Sequence, residues 1–223
     1  MHRTDLESAL ETLRLCVKPP EKELVVLHDG LGRTLAEDVV SEVDVPSFNK
    51  SAMDGFALRA SETFGASPTD PVSLKVIGEV LPGDEGDFEV RLGEAVRIMT
   101  GGVFPRGADA VLMAEQTADL GESVLVHGSV VPGRNVAPAG EDIKSGDRVF
   151  ERGRMLRPAD LGVLASIGKT KIQVTRRPEV GILSTGNELI DPDSAELGRP
   201  GRVVNSCRYM LEGLVYSTGG SPR

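Results

Sequence analysis

Glycine and proline cut this chain into short pieces. With 26 Gly and 14 Pro in 223 residues, few stretches run far before a turn residue intervenes. Many short strands joined by turns are favoured. The middle of the chain reads this way most clearly. Val72-Ser73-Leu74-Lys75-Val76 alternates apolar and polar residues, as a half-buried strand does, and Leu81-Pro82-Gly83-Asp84 turns the chain. Ala95 to Met99, Ala110 to Ala114 and Ser123 to Val126 follow as further strands. This predicts a compact β-rich unit, a small barrel or sandwich. There is no Trp, so cores must be built from Val, Leu, Ile and a few Phe.

The flanks read differently. Thr4-Asp5-Leu6-Glu7 forms a capping box ahead of Leu6, Ala9, Leu10, Leu13 and Val17 at helical spacing, and Pro19-Pro20 stops that helix. Glu23 to Leu27 is a short strand, and His28 is a surface turn residue. Gly146 to Phe150 looks like a return strand. Pro158 opens a helix that Gly168 closes, and Lys171 to Val174 is another strand. From Pro178 the style changes. Glu179-Val180-Gly181-Ile182-Leu183 is an apolar strand of the kind buried in a parallel sheet. Asn205 can cap a helix whose apolar face includes Tyr209, Met210, Leu214 and Val215. One strand and one helix cannot cover both faces of such a sheet, so only the first part of an α/β domain is expected here.

A formal net charge of −9 argues against a sequence-wide surface for nucleic acid or anionic membrane. It leaves room for a local basic pocket that takes a small anion. No apolar run approaches membrane-spanning length, and no signal core opens the chain, so a cytoplasmic protein is expected. Cys16 and Cys207 stand far apart without partner patterns, which predicts two buried free thiols.

Four stretches carry candidate chemistry. In Pro46 to Leu58, Asn49, Lys50 and Ser51 bring an amide, an ammonium and a hydroxyl together, and Asp54 sits beside Gly55. That suits an anionic ligand held partly by Lys50; it also suits an Asx-turn with a solvated lysine. Gly55 would give the backbone a left-handed or tight position. Thr100-Gly101-Gly102 allows close backbone approach to a ligand, with N–H groups facing an anion, or is a tight turn before Pro105. Ser184-Thr185-Gly186-Asn187-Glu188 offers hydroxyls and amides for phosphate and a carboxylate for Mg²⁺; otherwise it is a strand-to-helix turn with Glu188 in the first helical turn. Glu141-Asp142 is a metal-facing pair or a solvated loop.

Taken in order, these words resemble a known family. Asn49-Lys50-Ser51-Ala52-Met53-Asp54-Gly55-Phe56-Ala57 resembles the signature loop of the molybdopterin molybdenumtransferases, the MoeA proteins and the gephyrin E domain. Arg97-Ile98-Met99-Thr100-Gly101-Gly102 running on to Val111, Glu115-Gln116-Thr117, Gly140-Glu141-Asp142-Ile143 and Leu183-Ser184-Thr185-Gly186-Asn187-Glu188-Leu189 follow in the expected order. The resemblance implies Mg²⁺-dependent insertion of molybdate into adenylated molybdopterin with release of AMP. It implies an elongated homodimer, and the molybdopterin adenylyltransferase as a partner.

It implies a multidomain α+β fold: a β-rich, barrel-like domain, a mixed α/β connecting domain and the start of a MoaB-like α/β domain. By motif these are residues 46–140, residues 24–45 with 141–176, and residues 177–223, with an N-terminal helix in residues 1–23. Catalytic roles fall on Asp54, Thr100, Asp142 and Glu188, with Asp142 and Glu188 facing metal. Lys50, Ser51, Gly101, Gly102, Ser184, Thr185 and Gly186 would bind the substrates. Asn187 stands where the family commonly has Asp. Family members continue beyond the point matched by Arg223, so the chain is expected to be part of such an enzyme. The alternative is a non-catalytic dimerisation or scaffold module of the same family. A generic Mg²⁺ phosphohydrolase would explain Asp54 and Glu188 but not the ordered words.

Overall fold

The structure, a computed structural model, describes residues 5–18 and 20–223. It opens with helix α1 (Leu6–Cys16) and strand β1 (Lys22–Val26). The six strands of the main sheet follow, with shorter two-stranded ladders around them: β2 (Gly55–Leu58), β3 (Val72–Val80), β4 (Glu94–Ile98), β5 (Ala110–Met113), β6 (Thr117–Asp119) and β7 (Ser123–Val126). Then come helix α2 (Pro158–Ser166), strands β8 (Lys171–Thr175) and β9 (Glu179–Val180), helix α3 (Ser206–Ser217) and strand β10 (Ser221–Pro222). The chain forms two compact units, residues 40–149 and residues 1–39 with 150–223.

In the 40–149 unit the six strands form one sheet in the order β5-β2-β4-β3-β7-β6. The β3–β4 pair is parallel and the other neighbours are antiparallel. The expected barrel-like unit is found in part, as one curled, half-barrel sheet running from β5 at one edge to β6 at the other. Both its faces are covered. Along β2, Phe56 and Leu58 join one buried cluster with Leu74, Leu112 and Val124, while Ala57 joins another with Val80, Val96, Ile98 and Val111. Side chains alternate between faces along a strand, so an apolar run such as Gly55 to Leu58 fills both cores at once.

In the other unit β1 and β8 pair antiparallel, from Lys22 opposite Thr175 to Val26 opposite Lys171. α2 packs on the turn Leu27–Gly30. Leu35, Leu156, Leu164, Ile172 and Val174 are buried. Asp160 is buried with them and is held by two arginines. Arg154 Nη2 donates to its Oδ1 at 2.8 Å and Arg157 Nη2 at 3.3 Å, while the Arg157 backbone N–H caps the helix start through Oδ2 at 3.0 Å. The Arg154 and Arg157 hydrogen bonds hold this carboxyl well below the usual carboxylate range.

Asp160→Ala is therefore expected to cost about 1–3 kcal/mol, the usual loss for buried groups left without a partner. Because the folded pKa is depressed, that stability is present above the unfolded value of about 3.9 and is lost as pH falls toward the folded one. Thermal melts should show a constant gap between wild type and variant from pH 7 to pH 5 that narrows below about pH 4. A gap that widens on acidification would contradict the assignment.

α1 begins where expected, but the side chain that caps it is Asp5, whose Oδ1 accepts from Ser8 N at 2.9 Å. The roles expected of Thr4 and Pro19 fall outside the described residues. Neither α1 nor α3 has a buried residue. Cys16 and Cys207 lie on these helices, and both are exposed free thiols, not buried ones. An apolar helix stripe predicts burial only where something covers it; α3 touches only β10 closely and keeps Tyr209, Met210 and Leu214 exposed, and α1 keeps Leu6, Leu10 and Leu13 exposed. After Pro178, β9 and β10 pair in parallel, with α3 between them in sequence, and Asn205 caps α3 as expected, its Oδ1 accepting from Arg208 N. Leu183 is 89% exposed.

Candidate functional site

Asp54 and Thr100 meet. Thr100 donates its backbone N–H and its hydroxyl to the same oxygen, Asp54 Oδ1, both at 2.7 Å. The pairing follows from the sheet. Gly55 opens β2 opposite Ile98 near the end of β4, so the residue before one strand faces the loop that leaves the other. Asp54's own carbonyl accepts from Ala114 N at 3.0 Å, which fixes the third side. The Thr100 hydroxyl, and then its backbone N–H, lower the pKa of Asp54. An exposed carboxylate so stabilised is a fixed negative charge near neutral pH. It suits orienting a ligand or cation, and it is a poor general base, which needs a pKa near the working pH.

Several neighbours expected to bind ligand are already occupied by the protein. Gly101 N donates to Ser51 O at 2.8 Å, and Gly102 N to Met99 O at 2.9 Å. Neither N–H is left facing an anion; the two glycines serve loop pairing instead. Gly101 has φ 86°, which explains its residue type. Ser51 is buried, and its hydroxyl donates to Met53 O at 2.5 Å. Asn49 Oδ1 accepts from Ala139 N at 2.8 Å. Lys50 is paired through its backbone to Ala137 and bridged to Val103, while its ammonium makes no ion pair among the described residues. Of these polar groups, Asp54 Oδ2 and the ammonium of Lys50 remain to meet a ligand, with the Thr100 hydroxyl, its proton given to Asp54 Oδ1, left as an acceptor.

Beside Asp54 lies a cavity of about 270 Å³ lined by Gly55, Phe56, Arg97, Met99 and Asp119, among others. Arg97 is the cross-strand partner of Phe56 and stacks on its ring at 5.6 Å from the centroid. Arg97 Nε and Nη2 both donate to Asp119 Oδ2, at 2.8 and 2.6 Å. The Gly121 backbone N–H and then Arg97 lower the pKa of Asp119, so this wall is a closed ion pair. Asp119 carries no motif of its own in the sequence. The one available signal was a charged Arg97 between buried Val96 and Ile98, which places its side chain on the opposite face of β4.

The remaining candidates stand alone within their units. Asp142 is exposed, and its N–H donates to Val45 O at 3.0 Å. Ser184, Thr185, Gly186 and Glu188 form an exposed loop in the other unit. Glu188 is in no helix: it precedes the short strand Leu189–Ile190, which pairs in parallel with Val203–Val204, and its carbonyl accepts from Val203 N at 2.9 Å. The helical-turn reading of Glu188 is thereby corrected, because the chain leaves β9 into a second ladder before α3. Among the described residues no group of three or more His, Cys, Asp or Glu gathers to hold a metal ion.

A family model described as the MoeA N-terminal region (domain I and II) matches residues 4–168. The chain is 38% identical over 193 residues to the molybdopterin molybdenumtransferase of Staphylococcus epidermidis, covering 86% of this chain and 46% of that protein. It is 37% identical over 195 residues to the protein of the same name from Staphylococcus aureus, covering 87% and 46%. It is similar to the crystal structure of the molybdopterin biosynthesis moeA protein of Pyrococcus horikoshii OT3, with a TM-score of 0.86 and 41% identity over 91% of this chain and 54% of that one. The chain spans about half the length of the relatives it matches. Asp54, Thr100 and Asp142 fall inside the matched region, and Glu188 lies beyond it.

Proposed function

The chain belongs to the MoeA family, and from that premise we propose that it serves molybdenum cofactor assembly, inserting molybdate into adenylated molybdopterin with release of AMP. The observation that carries this reading is the Asp54–Thr100 pair, formed by two loops inside the region matched to the family. Asp54 supplies a fixed charge, Thr100 a hydroxyl that it orients, and Lys50 a cation for an anionic substrate. Asp142 and Glu188 are proposed to act on the same substrates, with Ser184, Thr185 and Gly186 contacting phosphate. Mg²⁺ is proposed as a requirement of the whole enzyme. Asp142 and Glu188 are the carboxylates that would hold it together with substrate phosphates, where it would neutralise phosphate charge.

We assign the chemistry of residues 46–140 to the β-rich domain, residues 24–45 and 141–176 to a connecting domain, and residues 177–223 to the start of a MoaB-like α/β domain. A homodimer is part of the proposal, as is a handover from the molybdopterin adenylyltransferase. The exposed Leu6, Leu10 and Leu13 of α1 support assembly with another chain. The proposed compartment is the cytoplasm; no helix among the described residues is long and apolar enough to cross a membrane.

The test is an insertion assay on the gene product that carries these residues, given adenylated molybdopterin, molybdate and Mg²⁺. Molybdenum cofactor and AMP should appear together and depend on all three. A folded, dimeric gene product that releases neither would overturn the enzymatic reading and leave the scaffold one.

A further inference from the structure

We propose that the pocket between Thr34, Arg177 and Thr218 is a binding site for a tetrahedral oxyanion, of the phosphate or sulfate type. The cavity measures about 100 Å³, lies wholly within one unit and is lined by Arg33, Arg176 and Arg177 with no carboxylate. That is unusual in a chain with 34 Asp and Glu against 25 Lys and Arg. None of its residues is among those assigned above to molybdenum chemistry.

The three guanidinium groups are held in different ways. Arg33 is the anchor. Its side chain is only 10% exposed; Nη2 donates to Glu23 and, at 2.9 Å, to Thr175 O. Both partners act on one terminal nitrogen, so Nε and Nη1 remain as donors. Arg176 is tethered more loosely, Nη1 to Glu21 Oε2 at 3.1 Å, and is 58% exposed. Arg177 makes no ion pair among the described residues. Glu21 and Glu23 hold two of the arginines but do not line the cavity, so the charged residues that do line it are all arginines. A planar guanidinium fork matches the oxygens of a tetrahedral anion, and three arginines lining a volume this small favour one compact anion.

The source is a free inorganic anion or the phosphoryl end of a monoester, and the shared chemistry is the tetrahedral oxyanion. The experiment is a titration of the purified chain with sodium phosphate, followed by backbone amide NMR, with ionic strength held constant by sodium chloride. Sodium sulfate and AMP form parallel arms. Saturable shifts at Thr34, Arg177 and Thr218 are expected with phosphate and with sulfate. AMP shifting the same amides assigns monoesters as a source, and AMP failing where phosphate binds assigns the free ion.

Arg177→Ala should weaken phosphate about tenfold, the loss of one charge-assisted contact, with the rest of the spectrum unchanged. Glu21→Gln should tighten it by releasing Arg176. Shifts that do not saturate, or phosphate affinity unaltered by Arg177→Ala, would overturn the site.

Discussion

Asp54→Ala, made in the gene product that carries this chain, should lower molybdenum insertion about 100-fold while leaving fold and assembly intact; that is the scale seen when a positioned group is displaced by an ångström or so. The fold should tolerate the change because the Asp54 side chain is exposed and its structural hydrogen bond to Ala114 runs through the backbone. What is lost is the oxygen that receives both Thr100 donors. Thr100 would then be free to rotate away from the substrate, and the site would lose its fixed negative charge. Asp54→Asn should lose nearly as much, since the amide keeps an acceptor but not the charge. The loss should fall on kcat more than on KM if the pair acts on the reacting state. Full turnover by a correctly folded Asp54→Ala protein would remove Asp54 from the chemistry.

Gly55→Ala should damage the same site through the fold. A Cβ at Gly55 would lie 2.0 Å from the carbonyl oxygen of Leu112, 2.9 Å from its carbonyl carbon and 3.0 Å from Met113 Cα. All three are backbone atoms of β5, so no side chain can move aside; the β2–β5 ladder must open. Overpacking of this kind costs about 1–3 kcal/mol in ordinary cores, and a clash with a hydrogen-bonded strand belongs at or above the upper end. Gly162→Ala is the matched control. Gly162 sits inside α2 with open space around its Cα, so the added methyl should stabilise by roughly 0.5–1 kcal/mol. Urea unfolding should therefore shift in opposite directions for one and the same substitution. Equal midpoints for Gly55→Ala and wild type would mean that the close approach of β2 and β5 is not rigid.

Much of the local structure is legible in the sequence alone. The alternation of Val72 to Val76 announced β3, Pro158 and Gly168 framed α2, and Asn205 marked the start of α3. The ordered words around Asp54 and Thr100 pointed to one family before any geometry was known, and the match over residues 4–168 belongs to that family. These signals are short in range, since a cap, a turn or an alternating strand is written in adjacent residues.

The tertiary structure decided what depends on partners distant in sequence. The parallel pairing of β3 with β4, which makes one sheet of the six strands, cannot be read from either strand alone. Gly55 is extended, and its small size answers the carbonyl of Leu112, 57 positions away, and not a left-handed turn. Gly101 and Gly102 spend their N–H groups on Ser51 and Met99, so the loop that looked like an anion cradle is a brace for the Asp54–Thr100 pair. Arg97 and Asp119 become a wall of the cavity because the sheet sets Arg97 across from Phe56 and brings Asp119 within hydrogen-bond reach. The sequence by itself determined where the main strands and helices start, where the chain turns and which family it joins. Only the folded chain decided which polar groups are consumed by the protein and which are left for a ligand, because each donor is satisfied by whichever acceptor the long-range pairing brings nearest.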